Sequence, residues 1–317
     1  MVSVSIFAFL FVLFVRISSG FVLTSSLSGE SLVDYVNSVQ SLFKAEYRSD
    51  ARAEYRVMDM KYSEPLEEHK LLLMKPRIDA RAYDSSLPES FDARNKWPKC
   101  KSLKSIRNQG SCGSCWAFST AELMSDRICI QSDGSRQPVI SAQDILACST
   151  ENGCSGGWPM SALMFWNKTG VVTGDENNGG CEPYTASNNC VQTCRPGYPR
   201  NYTSDKTFGN HPYSLPRDIV QIQWDIYNHG PVSATFQVFA DFFDYKSGVY
   251  KHTSGGSVGF HAVKIIGWGV ENKTPFWVIA NSWGVGFGER GFFRMIRGQN
   301  NCGIENSIVA ATANSDD

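Results

Sequence analysis

The sequence predicts an α+β fold in two halves, helical first and strand-rich second, behind a removable N-terminal part. Three observations predict it. Apolar or small residues at Ala117, Phe118, Ala121, Leu123, Met124 and Ile128 recur near helical spacing, and neither Pro nor Gly interrupts Trp116 to Ser132. Beyond Gly230-Pro231 the pattern turns strand-like. Runs at Val232–Phe239, Val249–His252, His261–Val270, Pro275–Asn281, Gly291–Ile296 and Ile308–Ala311 are separated by Gly-rich turns. Finally, residues 21–86 hold no cysteine, whereas the chain after them holds all ten.

Taken in order, 317 residues suffice for a full core and more than one domain. Thirty basic residues against 31 acidic ones give a net charge of −1, which offers no electrostatic case for nucleic acid or an anionic membrane. The apolar run Ile6 to Val15 is too short to span a bilayer. With Ser18-Ser-Gly20 behind it, residues 1–20 read as a signal peptide, slightly irregular because Arg16 follows the run and no Lys or Arg precedes it. Residues 21–86 are charge-dense, with amphipathic stretches Ser31–Tyr47 and Ala51–Met60, and read as a removable pro-segment; maturation cleavage is expected near Ser86–Leu87. The mature part, 87–317, divides into a helical portion to about 212 and a β-rich portion from about 213. Ser141-Ala-Gln-Asp144 opens a helix in capping-box fashion, Met160–Thr169 is apolar until Gly170, and Arg217–Asn228 is amphipathic until Gly230-Pro231.

The chemistry is expected at Gln109-Gly-Ser-Cys-Gly-Ser-Cys-Trp-Ala-Phe118, where Cys115 opens the apolar helix. Free N–H groups and the positive end of the dipole there favour a thiolate, which is the nucleophilic form of cysteine. Cys112-Gly-Ser-Cys115 also fits half a zinc site or a redox pair. A zinc site needs a second close ligand pair, for which Cys190 and Cys194 are the one loose candidate. A redox pair expects the Trp before it and no further disulfides, but Trp116 follows and eight other cysteines are present. An activated nucleophile has the signature C-G-[SA]-C-[WY], with His and Asn about 130–150 residues downstream. Cys112 to Trp116 match it, with His261 in Gly259-Phe-His-Ala-Val263 and Asn281 in Asn281-Ser-Trp-Gly284. The other four histidines lack that context.

On these motifs the chain resembles the papain-like cysteine proteases and, within them, the cathepsin B branch. Leu87-Pro-Glu-Ser-Phe-Asp-Ala-Arg94, Asp126-Arg-Ile-Cys129, Gly153-Cys-Ser-Gly-Gly157, Tyr245-Lys-Ser-Gly-Val-Tyr250, Gly267-Trp-Gly-Val-Glu-Asn272 and Cys302-Gly-Ile-Glu305 extend the resemblance from Leu87 to about Ala311. It implies the papain-like two-lobe fold, a helical lobe bearing Cys115 and a β-barrel-like lobe bearing His261 and Asn281, with the cleft between them. It also implies a cysteine endopeptidase made as a zymogen. In that scheme Cys115 and His261 form a thiolate–imidazolium couple, Asn281 orients His261 and Trp283 shields their hydrogen bond. Gln109 and the Cys115 N–H would receive the oxyanion.

The same resemblance assigns Gly156 and Gly157 to the substrate strand and pairs Cys100–Cys129, Cys112–Cys154, Cys148–Cys190 and Cys181–Cys194, leaving Cys115 and Cys302 free. Spacing alone does not fix that connectivity. Two departures are visible. The segment Glu182 to Thr193, where cathepsin B carries an occluding insertion with adjacent histidines, is short and contains none. Ser307 stands where that branch has an acid at the base of the S2 pocket. An open cleft and a preference for apolar over Arg at P2 are therefore expected, with carboxydipeptidase activity as the alternative. The resemblance further implies protein or peptide substrates, the chain's own pro-segment and cystatin-like proteins as inhibitors, a monomer, and no metal or cofactor. Ten cysteines and the sequons at Asn167, Asn201 and Asn272 point to the secretory pathway, lysosomal or extracellular, with one or two sequons expected to carry glycan.

Overall fold

The computed structural model of the protein describes residues 27–49, 53–73, 87–149 and 151–314. The expected signal peptide and the Ser86 side of the expected maturation cleavage lie outside the described residues. Helix α1 (Gly29–Val39) buries Leu32, Val33 and Val36 and leads into strand β1 (Phe43–Ala45). Short helical turns at Ala53–Arg56, Met60–Ser63 and Glu67–Lys70 follow, so the second amphipathic stretch does not form a continuous helix.

Helix α2 (Cys115–Gln131) is the axis of the molecule. Apolar spacing predicts a helix with one buried face, but every residue from Cys115 to Cys129 is buried. Its charged residues are tolerated because they are paired across the core. Arg127 meets Asp225 at 2.6 Å, and Asp126 and Glu122 meet Lys264 at 2.7 and 3.3 Å. Helix α3 (Ala142–Cys148) starts where the sequence places it, the Ser141 hydroxyl accepting the Asp144 N–H. Helix α4 (Pro159–Lys168) has Pro at its first turn, where no N–H is needed. Helix α5 (Ile219–His229) is capped by Asp218, which accepts the Val220 and Gln221 N–H groups. Disulfides Cys100–Cys129, Cys112–Cys154, Cys148–Cys190 and Cys181–Cys194 cross-link the helical half; Cys115 and Cys302 are free.

The remaining strands are β2 (Phe91–Asp92), β3 (Gly209–Leu215), β4 (Val232–Phe239), β5 (Tyr245–Tyr250), β6 (Ser257–Glu271), β7 (Thr274–Ala280), β8 (Phe292–Ile296) and β9 (Ile308–Ala313). They join in the order β1-β5-β8-β7-β6-β4-β9-β3, with β2 paired to β6. Strand β3 is absent from the strand runs read in the sequence and spans their division at 212/213. Pro212 and the positive φ of His211 disguise it, and its pairing with β9 shifts register between Asn210 and Tyr213. An end strand tolerates this because its outer edge carries only an isolated bridge, Ser214 N–H donating to Leu72 O at 3.0 Å, and Pro212 has no N–H to leave unpaired. The order matters for function because β6 carries His261 against the N-terminal end of α2. The buried Lys264, three residues further along β6, fixes the two elements together.

Candidate active site

Cys115 is the first residue of α2 and is fully buried. Its sulfur accepts the Ala262 N–H at 3.4 Å, so it lies against β6 next to His261. The His261 Nε2 lies 2.7 Å from Asn281 Oδ1, while Nδ1 is buried without a hydrogen-bond partner among the described residues. Trp283 covers this pair, its ring 4.6 Å from that of His261. It packs in turn on Phe242, Phe243 and Phe287. The strand-end sequence Asn281-Ser-Trp thus supplies both the orienting amide and its apolar roof.

Gln109 is fully buried and held from the β lobe. Its N–H donates to Ser282 O at 2.9 Å, and Ser282 Oγ donates to its Oε1 at 2.7 Å. The second bond leaves Nε2 as the outward donor. Nε2 donates to Cys112 O at 2.7 Å and to Arg56 O at 2.9 Å. A main-chain carbonyl of the upstream segment is therefore seated at the very donor that the resemblance assigns to an oxyanion. Ser282 was not singled out in the sequence, although its place between Asn281 and Trp283 was a usable signal.

The upstream segment continues from Arg56 through a bridge at Met58 into the helical turn Met60–Ser63. Met58 exchanges hydrogen bonds with Phe260 (2.7 and 3.0 Å), next to His261. Tyr62 lies against the edge of Trp158 at 4.7 Å and accepts a bond from Asn152. Gly156 is where this chain passes closest: at φ +119°, a Cβ there would stand 2.5 Å from the Tyr62 ring. Gly157 has a different reason, since its Cβ would meet the indole of Trp116 at 2.7 Å. Beyond Tyr62 lies a cavity of about 280 Å³ lined by Trp158, Pro159, Met160, Thr235 and Ser307 and closed by Pro65 and His69. No carboxylate is among its described lining residues.

Burial opposes charge on both members of the pair. Burial pushes the Cys115 thiol up to about 12, against the N–H groups of Ala262, Trp116 and Cys115 itself. Burial also pushes His261 down to about 4, with Asn281 opposing and the Arg56 charge reinforcing the shift. In this covered form burial thus opposes both charges of the thiolate–imidazolium couple that the resemblance implies. The dipole of α2 and three N–H groups do not offset loss of water around both charges.

The three carboxyl and thiol groups Asp144, Cys148 and Glu182 lie close together, but Cys148 is spent in a disulfide. Among the described residues no helix is long and apolar enough to cross a membrane.

A sequence profile described as papain family cysteine protease matches residues 87–312. A gut-specific cysteine proteinase of Caenorhabditis elegans is 46% identical over 306 residues, 91% of this chain and 92% of that protein. The cathepsin B-like cysteine proteinase 3 of the same nematode is 47% identical over 302 residues, 89% of this chain and 82% of that one. Among solved structures, the procathepsin B S9 of Trypanosoma congolense superposes with a TM-score of 0.79 at 32% identity, over 90% of this chain and 98% of that one. The digestive procathepsin L2 of Tenebrio molitor gives 0.70 at 26% identity, over 88% and 86%.

Proposed function

This chain belongs to the papain family of cysteine proteases, in its cathepsin B-like branch, and we propose that it is an endopeptidase held silent by its own residues 21–86. In the mature enzyme Cys115 Sγ attacks the scissile carbonyl carbon, and the oxyanion is received by Gln109 Nε2 and the Cys115 N–H. His261 gives its proton to the departing amine, and water, deprotonated by the same ring, cleaves the thioester. Asn281 and Trp283 keep the ring oriented and dry throughout.

The observation that carries the endopeptidase reading is the path of the upstream segment. Arg56 O is seated at Gln109 Nε2, with Arg48 upstream bonded to Asp244 and Gly286, and with Met58, Tyr62 and Pro65 downstream reaching Phe260 and the Ser307 cavity. A site that takes one carbonyl of a chain running on in both directions suits the interior of a polypeptide. The histidine-free Glu182 to Thr193 segment supports the same reading, since it offers no imidazole to grip a terminal carboxylate. Digestion of one peptide with a free or amidated C-terminus tests it. Equal rates and internal cleavage are expected, with Cys115→Ala inert. Stepwise loss of dipeptides that requires the free carboxylate would establish the carboxydipeptidase instead.

The Ser307 cavity is proposed as S2. Without a carboxylate it disfavours a guanidinium, whose burial needs a partner. Leu or Phe at P2 should outrun Arg in a fluorogenic panel, and Ser307→Glu should raise kcat/KM for Arg at P2 roughly tenfold. A panel already led by Arg would remove this assignment.

We place the protein in the secretory pathway, lysosomal or extracellular, behind a signal peptide over 1–20. Asn201 and Asn272 are exposed, whereas Asn167 Nδ2 already donates to Gly209 O at 2.9 Å. Glycan is therefore expected on Asn201 and Asn272. The endoglycosidase-sensitive mass should persist in Asn167→Gln and disappear when the other two are replaced together.

A further inference from the structure

Tyr184 is not part of the catalytic constellation, yet its hydroxyl reaches the Gln109 backbone and the Ser114 side chain next to Cys115. Its ring packs edge-on against Phe118 of α2 at 4.6 Å. Its hydroxyl donates to the Gln109 carbonyl at 2.9 Å and lies 2.7 Å from Ser114 Oγ. A phenol has one proton, and that proton goes to the carbonyl, which can only accept. The Ser114 hydroxyl is then the donor in the second bond.

Ser114 is the N-cap of α2, where a serine side chain ordinarily accepts an N–H of the first turn from an extended backbone. Here its backbone is not extended (φ −93°, ψ 13°), and its side chain makes no cap bond. The first-turn donors divide instead. Ala117 and Phe118 N–H go to the Ser114 carbonyl at 2.9 and 3.1 Å. The N–H groups of Cys115 and Trp116 face the Cys115 sulfur.

We propose that Tyr184 is a positioning residue for the hydrolytic reaction. By holding the Ser114 hydroxyl it keeps that serine out of its capping conformation, leaving the Cys115 and Trp116 N–H groups for the thiolate and the oxyanion. Its bond to the Gln109 carbonyl fixes the turn that aims the Gln109 amide. One phenol thus sets both halves of the anion-binding site from outside it. Without that bond, Ser114 relaxes into the extended cap and takes the Trp116 N–H from the sulfur.

The inference rests on the peptidase reading above, and the experiment separates the two. In matured enzyme, wild type and Cys115→Ala first establish turnover and its dependence on the thiol. Tyr184→Phe keeps the ring against Phe118 and removes one oxygen. It should lower kcat roughly 10- to 100-fold, less than the roughly 100- to 1,000-fold cost of removing an oxyanion donor outright, with KM within about twofold. The acid limb of its kcat/KM profile should move to higher pH, because a thiolate with fewer N–H donors holds its proton more tightly. Adding Ser114→Ala to Tyr184→Phe should return the acid limb toward wild type, since no hydroxyl remains to take the N–H. An active wild type in which Tyr184→Phe leaves kcat and the acid limb unchanged would overturn the role of Tyr184. A double variant with the acid limb still displaced would overturn the withheld cap.

Discussion

Alkylation of Cys115 by iodoacetamide at pH 6 should be at least about 100-fold faster in the matured enzyme than in the full chain. In the covered form burial holds the thiol near 12 and His261 near 4, so neither partner ionises the other. Once the segment leaves, water reaches both groups, and the α2 N-terminus and the adjacent imidazole stabilise the thiolate. The deprotonated fraction then rises by orders of magnitude, partly offset by the weaker intrinsic nucleophilicity of a low-pKa sulfur. Cys302 provides an internal control, because burial also pushes it up to about 12 and it lies outside the cleft. Peptide mapping with Cys115→Ala assigns the label. Equal Cys115 labelling in the two forms would refute the view that the segment silences the enzyme by keeping its pair neutral.

Lys264→Ala should cost about 3–5 kcal/mol of stability, the range for leaving buried charge without its partner. Lys264 is fully buried between Glu122 and Asp126, and it joins the helix that carries the nucleophile to the strand that carries the base. Converting all three residues together to Met, Gln and Asn should recover most of the loss, since no uncompensated ion remains. The same cluster gives stability a pH slope. Burial raises Glu122 from an ordinary carboxyl value to about 7, against the pull of Lys264 and Arg107, and burial raises Asp126 in the same direction. A carboxyl that binds its proton more tightly when folded stabilises fully below its unfolded value, and that stabilisation fades as pH rises to the folded value. The unfolding midpoint of thiol-blocked mature enzyme should therefore fall between about pH 4.5 and 7. Glu122→Gln should flatten the slope. A flat wild-type profile, or an unaltered slope in the variant, would exclude this cluster as its source.

The residues of the proposed catalytic site were legible because their chemistry is written in short, ordered strings. Cys115 opens an uninterrupted helix, and Asn281-Ser-Trp-Gly284 closes a strand. What stayed hidden has a common cause. Strand β3 escaped because Pro212 breaks the alternation that marks a strand, and only its end position in the sheet makes that harmless. The charged residues of α2 look like a solvent face in one dimension, yet Lys264 meets two of them from more than 130 residues away. Tyr184 has no local signal; its importance lies in what its hydroxyl reaches across a loop.

The sequence by itself pointed to Cys115, His261 and Asn281 as the proposed nucleophile, base and orienting amide, because each role demands a particular side chain in a particular local setting. The tertiary structure alone decided how deeply that machinery is buried and what covers it. Protonation depends on how much water surrounds a group. Around Cys115 and His261 the neighbours include Arg56 and Met58, far away along the chain yet bonded to Gln109 and Phe260 beside the pair.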